Sequence, residues 1–195
     1  MTQTPRHLMT TGLTYELPVG KGKRWGSGFN KATDLVLGGW NASTFVSLRT
    51  GLPINVGLAP TGTNPRTGLN YRFFDRNGGG LRPDRVGTAN SGIDPKTDRF
   101  RFLDINAFQV QALNTPGNAA RNSAYGPDQF VTNFKLGKTF RITEGHAIDF
   151  RWEAFNLFNT VNFNNPSTTY GATNFGVITS AQDPRVMQLA IRYAF

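Results

Sequence analysis

The clearest structural pattern in the chain lies in Arg185-Val186-Met187-Gln188-Leu189-Ala190-Ile191-Arg192-Tyr193-Ala194-Phe195. Counting back from Phe195 to Met187, every second residue is large and apolar, and the residues that alternate with them are small or polar apart from Val186. Because side chains alternate between the two faces of a β-strand, this pattern predicts one apolar face and one face that carries Arg192 and Gln188. A strand of about ten residues that ends on an aromatic side chain is typical of the closing strand of an outer-membrane barrel, although a soluble sheet would also explain the alternation.

Four other segments show the same alternation, so the sequence predicts five long strands. They cover residues 6–17, 39–50, 129–142, 147–159 and 186–195. Each is about ten residues or longer, which exceeds the usual globular strand of about five or six and matches a tilted membrane crossing. We therefore predict an all-β fold, an antiparallel meander that forms part of a transmembrane β-barrel. The predicted long external loops are 51–128 and 160–184.

The composition agrees with strands and long loops. No run of about 18 apolar residues is present, so a transmembrane helix is not expected. The chain has 16 Phe, 22 Gly and 11 Pro, which indicates aromatic-rich strands joined by turns and loops. Because cysteine is missing from the sequence, disulfides and cysteine-bound metals are excluded.

The net charge of +9 raises the question of a nucleic-acid partner. The basic residues are spread through the predicted strands and loops, and the densest group is Lys21, Lys23 and Arg24. That group lacks the ending of a phosphate-binding loop, so we interpret it as a solvated turn. No nucleic-acid-binding motif is visible, and no nucleic-acid partner is expected.

The connections between the predicted strands alternate in length. Residues 143–146 form a tight turn and 18–37 a moderate connection, whereas 51–128 and 160–184 are long. Outer-membrane barrels have short turns on the periplasmic side and long loops outside. If Phe195 lies at the periplasmic end, every connection falls on the side that its length predicts.

Several short segments, in matching order along almost the whole chain, carry a resemblance to a known family. They are Tyr15-Glu16-Leu17-Pro18-Val19-Gly20-Lys21-Gly22-Lys23-Arg24-Trp25, Leu37-Gly38-Gly39-Trp40, Gly117-Asn118-Ala119-Ala120-Arg121-Asn122-Ser123, Glu153-Ala154-Phe155-Asn156-Leu157-Phe158-Asn159, Asn174-Phe175-Gly176-Val177-Ile178-Thr179-Ser180-Ala181 and Asp183-Pro184-Arg185. In these segments the sequence resembles the C-terminal barrel of TonB-dependent receptors, in particular the Oar-like outer-membrane group. None of the segments is a catalytic signature, so neither enzymatic activity nor a cofactor is expected.

The resemblance implies energised import of a solute across a bacterial outer membrane. In that family, external loops capture the solute and the TonB complex of the inner membrane pulls on a plug domain to open the lumen. Complete relatives carry a signal peptide, a plug and a barrel of about 22 strands. We therefore expect residues 1–195 to be the C-terminal barrel segment of a longer receptor, with outer-membrane lipid, the barrel-assembly machinery and an unknown solute as partners. The alternative is an outer-membrane structural or adhesion protein without transport, and a soluble β-rich carbohydrate-binding domain is more distant.

Charged residues opposite the apolar face are predicted to face the lumen. The candidates are Lys135, Arg141, Asp149, Arg151, Glu153 and Arg192. We expect them to form cross-strand ion pairs, with a contact to the translocated solute as the alternative. Asp149 and Glu153 lie roughly 13 Å apart along a strand, beyond the carboxylate separation of glycosidases. The two histidines, His7 and His146, have no ligand cluster, so no metal site is expected.

The long loop at 51–128 contains two features that could bind ligands. Residues 75–80 begin like a calcium-binding loop but lack its later acidic ligand, so we interpret them as a flexible turn. Six aromatic residues are expected to pack into a small core of the loop, with stacking on a sugar or an aromatic chelate as the alternative. They are Tyr71, Phe73, Phe74, Phe100, Phe102 and Phe108. The segment 102–108 is expected to be ordered.

Tyr193 and Phe195 are predicted to form an assembly signal, because the resemblance implies that the barrel-insertion machinery binds the last strand. Phe195→Asp in the full-length protein should lower the amount of folded barrel in the outer membrane. Heat-modifiable migration on gels measures the folded fraction. An unchanged folded fraction would show that the terminal aromatic residue is not part of the signal.

Overall fold

A computed structural model describes residues 4–72, 80–112 and 115–195. The chain divides into two compact units that alternate along the sequence. The first, called the sheet unit here, comprises Leu8–Leu48, Phe130–Val161 and Asp183–Phe195. The second, the loop unit, comprises Met1–His7, Arg49–Gln129 and Asn162–Gln182.

The secondary structure is mainly strand. The strands are β1 Leu8–Glu16, β2 Asn41–Arg49, β3 Pro53–Ile54, β4 Gly57–Leu58, β5 Thr61–Thr63, β6 Asn70–Arg72, β7 Asp84–Arg85, β8 Phe108–Gln109, β9 Ala124–Tyr125, β10 Gln129–Arg141, β11 Ala147–Phe155, β12 Thr169–Tyr170 and β13 Val186–Ala194. In the described residues, the α-helix α1 spans Lys31–Leu37, and 3₁₀ turns span Arg99–Arg101 and Ile105–Ala107. Among the helices that the structure describes, none is both long and apolar enough to cross a membrane.

The sheet unit is built on one five-stranded sheet. Its order is β1-β2-β10-β11-β13, so each long strand pairs with the next long strand along the chain. The pairs β10–β11 and β11–β13 are antiparallel, and their register aligns Leu136 with Trp152 and Trp152 with Leu189. The predicted fold class, an all-β antiparallel meander, is confirmed.

Strand β11 ends at Phe155, whereas the alternation predicted a strand to residue 159. The cause is a turn centred on Asn156, whose φ of 51° lies in the left-handed region. Its side chain bonds to the backbone of Thr160 in both directions, donating to the carbonyl and accepting from the amide at 2.9 Å each. Asparagine tolerates this conformation better than most residues, because its amide can replace the lost backbone partners.

Helix α1 lies in the connection between β1 and β2, where the sequence reading placed only a loop. It begins after Asn30, whose side-chain oxygen accepts from the amide of Thr33 at 2.8 Å. It ends at Leu37, and the N–H of the next residue, Gly38, donates to the carbonyl of Asp34. An asparagine N-cap is a recognisable start signal.

The loop unit has a hydrophobic core of its own. Short pairs frame it: β3–β9, β5–β6 and β7–β8 are antiparallel and β4–β12 is parallel. At its centre, the rings of Phe108, Tyr170 and Phe175 contact one another with centroid distances of 5.3 to 6.0 Å. Burial raises the pKa of the Tyr170 phenol, so the group stays neutral and donates to the carbonyl of Phe108 at 2.9 Å.

The predicted aromatic packing of the long loop is found in part. Phe102 and Phe108 are buried in the core and Tyr71 packs against it. Phe100, by contrast, is 60% exposed and does not belong to the core. Phe73, Phe74 and most of the predicted turn at 75–80 lie outside the described residues. Tyr170 and Phe175 come from the other long loop, and the sequence did not identify them as partners.

The core of the loop unit generates a stability prediction. Phe108→Ala should destabilise it by about 3–5 kcal/mol because a buried ring is lost, and Tyr170→Phe by about 1 kcal/mol because one buried hydrogen bond is lost. Limited proteolysis of the full-length protein in detergent should show the fastest cleavage for Phe108→Ala and an intermediate rate for Tyr170→Phe. The matched control is Phe100→Ala, which removes an exposed ring and should leave the cleavage rate unchanged. Equal rates for Phe108→Ala and Phe100→Ala would contradict this core.

Candidate functional site

The six candidate lumen residues lie on one face of the sheet. Residues directly opposite each other in paired strands project to the same side. The register places Lys135 opposite Glu153 and Asp149 opposite Arg192, and it places Arg151 and Arg141 on the same side. Thr139 and Gln188 lie on the same side, which we call the polar face. The structure thus brings together all the residues that the sequence selected.

The other side of the same strands is called the apolar face. Its members on β10, β11 and β13 are Phe134, Leu136, Lys138, Phe140, Ile148, Phe150, Trp152, Ala154, Met187, Leu189, Ile191 and Tyr193. Aromatic rings contact each other here, as between Phe134 and Trp152 at 5.9 Å. Leu189 and Ile191 are more than half exposed, at 61% and 67%. On β13, therefore, large apolar side chains face outward from the chain.

The carboxylates of the polar face bond to neutral partners. Thr139 donates its hydroxyl to Asp149 at 2.7 Å, and the Gln188 amide donates to Glu153 at 2.6 Å. The expectation of cross-strand ion pairs was wrong. Among the described residues, ion pairs join Lys23 with Glu16 and Arg101 with Asp98, and neither pair includes one of the six candidates. Because an exposed ion pair gains only about 0–1 kcal/mol, a nearby hydroxyl or amide can replace it while the cations stay hydrated.

A shallow cavity of about 270 Å³ opens on the polar face. Its lining includes Asn41, Lys135, Gly137, Thr139, Asp149, Arg151 and Arg192. Gly137 contributes to the opening, since a Cβ atom there would lie 3.2 Å from the side-chain oxygen of Asn41. Cationic donors outnumber the single carboxylate, so the cavity suits a polar solute that carries hydrogen-bond acceptors or negative charge. Within the described ranges, no cluster of three or more His, Cys, Asp or Glu could hold a metal.

The residues of the predicted assembly signal lie at the end of β13. The Tyr193 hydroxyl is 2.7 Å from Nδ1 of His146, and the two rings stack at 5.8 Å. Phe195 follows the strand, is 93% exposed, and its ring lies 5.8 Å from that of Tyr193. His146 thus has a specific partner near the tight turn at 143–146.

The sequence placed Gln188 on the polar side of its strand but did not select the neutral members of the site as functional residues. Thr139 and Gln188 hold the carboxylates, and Gly137 makes room for the cavity. The sequence selected only charged residues, and the strand register that pairs Thr139 with Asp149 could not be read from single-strand alternation. A search for hydroxyl and amide residues on the same alternating face would have found Thr139 and Gln188.

Comparison with known protein families agrees with this architecture. The sequence profile described as "Outer membrane beta barrel domain" matches residues 2–188. The chain belongs to this outer-membrane β-barrel family. Its location is accordingly the bacterial outer membrane. Comparisons with curated proteins and with solved structures gave no match.

The two faces of an outer-membrane barrel differ in their tolerance of charge, and β13 offers a matched pair to test the assignment. Leu189→Arg, on the apolar face, should destabilise the full-length barrel by about 2–4 kcal/mol if it lies near the bilayer midplane. Gln188→Arg, on the adjacent residue and the polar face, should change stability by no more than about 0.5 kcal/mol. Denaturant unfolding in phospholipid vesicles measures both. Equal costs would contradict the assignment of the faces, and a larger cost for Gln188→Arg would reverse it.

Proposed function

We propose that this chain supplies barrel wall and external loops to a TonB-dependent receptor of the Oar-like group, which imports a solute across the outer membrane. The proposal adds to the outer-membrane β-barrel family the more specific group that the sequence resembles. The polar face lines the path of the solute, and the loop unit takes part in its capture. Contact with the TonB complex is made by a plug region upstream of these residues.

The observation that carries the proposal is the state of the cations on the polar face. Lys135, Arg151 and Arg192 line the cavity, and none of them forms an ion pair with a residue that the structure describes. Pairing them with carboxylates would gain the barrel only about 0–1 kcal/mol, because exposed ion pairs contribute little to stability. Hydrated cations beside an open cavity are instead available to a passing solute, which is what an import pathway requires.

The ordered core of the loop unit is compatible with solute capture. A long loop that binds a solute tightly must hold its side chains in place before binding, and a buried aromatic cluster achieves this. Rigid loops would serve adhesion equally well. The core of the loop unit is therefore compatible with both solute import and adhesion, and a transport measurement distinguishes them.

Energised uptake can be tested without knowing the solute. Strains that lack this gene, the TonB system or both are grown on a panel of limiting nutrients. The two single deletions should share at least one nutrient-specific growth defect, and the double deletion should be no worse on that nutrient. An attachment defect without any nutrient-specific growth defect would favour the adhesion alternative. Uptake that persists without TonB would overturn the proposal.

The cavity can be tested on the nutrient that this screen identifies. Arg151→Gln with Arg192→Gln should lower the initial rate of uptake several-fold at unchanged abundance of folded barrel, because two cationic donors are lost from the path. The matched control is Arg185→Gln, outside the five-stranded sheet, which should keep the wild-type rate. Equal uptake rates for the two variants would show that these two arginines of the polar face do not take part in transport.

A further inference from the structure

Lys138 breaks the pattern of the apolar face. It lies opposite Phe150, on the same side of β10 as Leu136 and Phe140. A lysine on the lipid-facing side of a barrel costs about 2–4 kcal/mol at the bilayer midplane and about 0–1 kcal/mol near the interface. Yet Lys138 is only 5% exposed, so another part of the sheet unit covers it.

The cover is the C-terminal end of α1. The Lys138 ammonium donates to the carbonyl oxygen of Leu35 at 2.5 Å and to that of Gly38, and a longer contact of 3.4 Å reaches the carbonyl of Asp34. The last carbonyls of a helix have no partners within the helix and carry partial negative charge. An ammonium group on the strand therefore satisfies the helix end, and the helix end satisfies the ammonium.

Trp40 is a second link between the helix and the apolar face. Its indole N–H donates to the carbonyl of Val36 at 2.9 Å. Its ring meets the rings of Phe150 and Phe140 edge-on, at 5.6 and 6.4 Å. The Lys138 ammonium lies 4.8 Å from the centre of the Phe140 ring. Together, Lys138 and Trp40 fix α1 on the apolar side of the sheet.

The part of α1 that is fixed there exposes three consecutive apolar side chains. Leu35, Val36 and Leu37 are 50%, 59% and 49% exposed. The helix also lies at the end of the sheet that carries the tight turn at 143–146, since β1 and β10 run in the same direction in this meander. In outer-membrane barrels the short turns are periplasmic. The exposed apolar end of α1 thus lies beside the apolar face, at its periplasmic edge.

Basic residues occur in α1 and in the turn bonded to it. Lys31 begins the helix, and the turn before it carries Lys21 and Arg24, together with Lys23, which pairs with Glu16. The turn is tied to the helix, because the amide of Lys21 donates to the Asp34 carboxylate at 2.5 Å. Trp25, next to Arg24, is 57% exposed. Aromatic and basic side chains beside an apolar surface are the composition of a membrane interface.

We propose that α1 is a membrane-interface anchor, with the phospholipid of the periplasmic leaflet as its partner. Leu35, Val36 and Leu37 insert at the boundary between headgroups and acyl chains, and the basic turn contacts phosphate groups. Lys138 holds the helix in this position. The surface is continuous with the apolar face of an outer-membrane barrel, and its charge is opposite to that of the headgroups, so lipid fits it better than a protein partner does. The anchor is independent of transport and would serve an adhesion barrel equally.

The anchor is testable by measuring the depth of α1 in the bilayer. A single cysteine replaces Leu35 in a cysteine-free form of the full-length protein and is labelled with an environment-sensitive fluorophore. The protein is refolded into phosphatidylethanolamine–phosphatidylglycerol vesicles that contain brominated acyl chains. The matched control carries the label at Glu144, in the tight turn at the same end. The label at residue 35 should be quenched by the brominated lipid, and the label at residue 144 only by aqueous iodide.

Lys138→Met in the Leu35→Cys background tests whether Lys138 holds the helix in place. The methionine fits an apolar face but cannot donate to the helix carbonyls, so lipid quenching of the label should fall while iodide quenching rises. Lys138→Arg retains cationic donors and should restore most of the lipid quenching. Heat-modifiable migration verifies that each variant forms the barrel, and the Leu35→Cys measurement alone decides the position of α1 if Lys138→Met fails to fold.

Two results would overturn the proposal. Iodide quenching at residue 35 equal to that at residue 144 would place the helix in water. Protection of residue 35 in native outer membranes, without lipid quenching in vesicles, would show that a protein covers the helix instead.

Discussion

A strand that crosses a bilayer must find every backbone hydrogen bond within its own sheet, because hydrocarbon offers no donor or acceptor. The five-stranded meander meets this demand for β2, β10 and β11, which are paired on both sides, whereas the outer strands β1 and β13 are each paired on one side within this sheet. The backbone pairing of the strands has a second consequence. With backbone pairing fixed, the register also fixes which side chains share a side, and a shift by one residue would send every apolar side chain to the opposite face. Pairing Leu136 with Trp152 and Trp152 with Leu189 is thus the same event that places Lys135 beside Glu153.

The sequence predicted those parts of the fold that depend on a local period. Long alternating strands were found because a period of two is visible within a single segment. The end of β11 was not, since it depends on the left-handed conformation of Asn156 rather than on hydrophobicity. Helix α1 was missed for a similar reason: seven residues give too few turns for a helical period, and only Asn30 marks its start. The core of the loop unit was predicted in part, because Phe108 meets Tyr170 across 62 positions and no local pattern encodes that contact.

Charge in this chain follows the solvent that each face meets. On the polar face, Asp149 and Glu153 accept from a hydroxyl and an amide rather than from the cations opposite them. The sequence predicted which charged residues share the face but not how they pair, because pairing depends on side-chain reach and on the small net gain of an exposed ion pair. Lys138 shows the contrary case, in which a cation on the apolar face must be covered and bonded.

Cations on the polar face and Lys138 on the apolar face differ in what their positions reveal about the surrounding fold. A lysine on the polar face needs only water, so its position says little about its surroundings. A lysine in the apolar row, between Leu136 and Phe140, is stabilised when the fold brings acceptors to it, and here the acceptors are carbonyls at the end of a short helix. The helix in turn is too short to be stable alone and depends on the strand for its last hydrogen bonds. Each element therefore explains the other, and a single charge out of phase in an alternating strand is a sequence signal for a covering element.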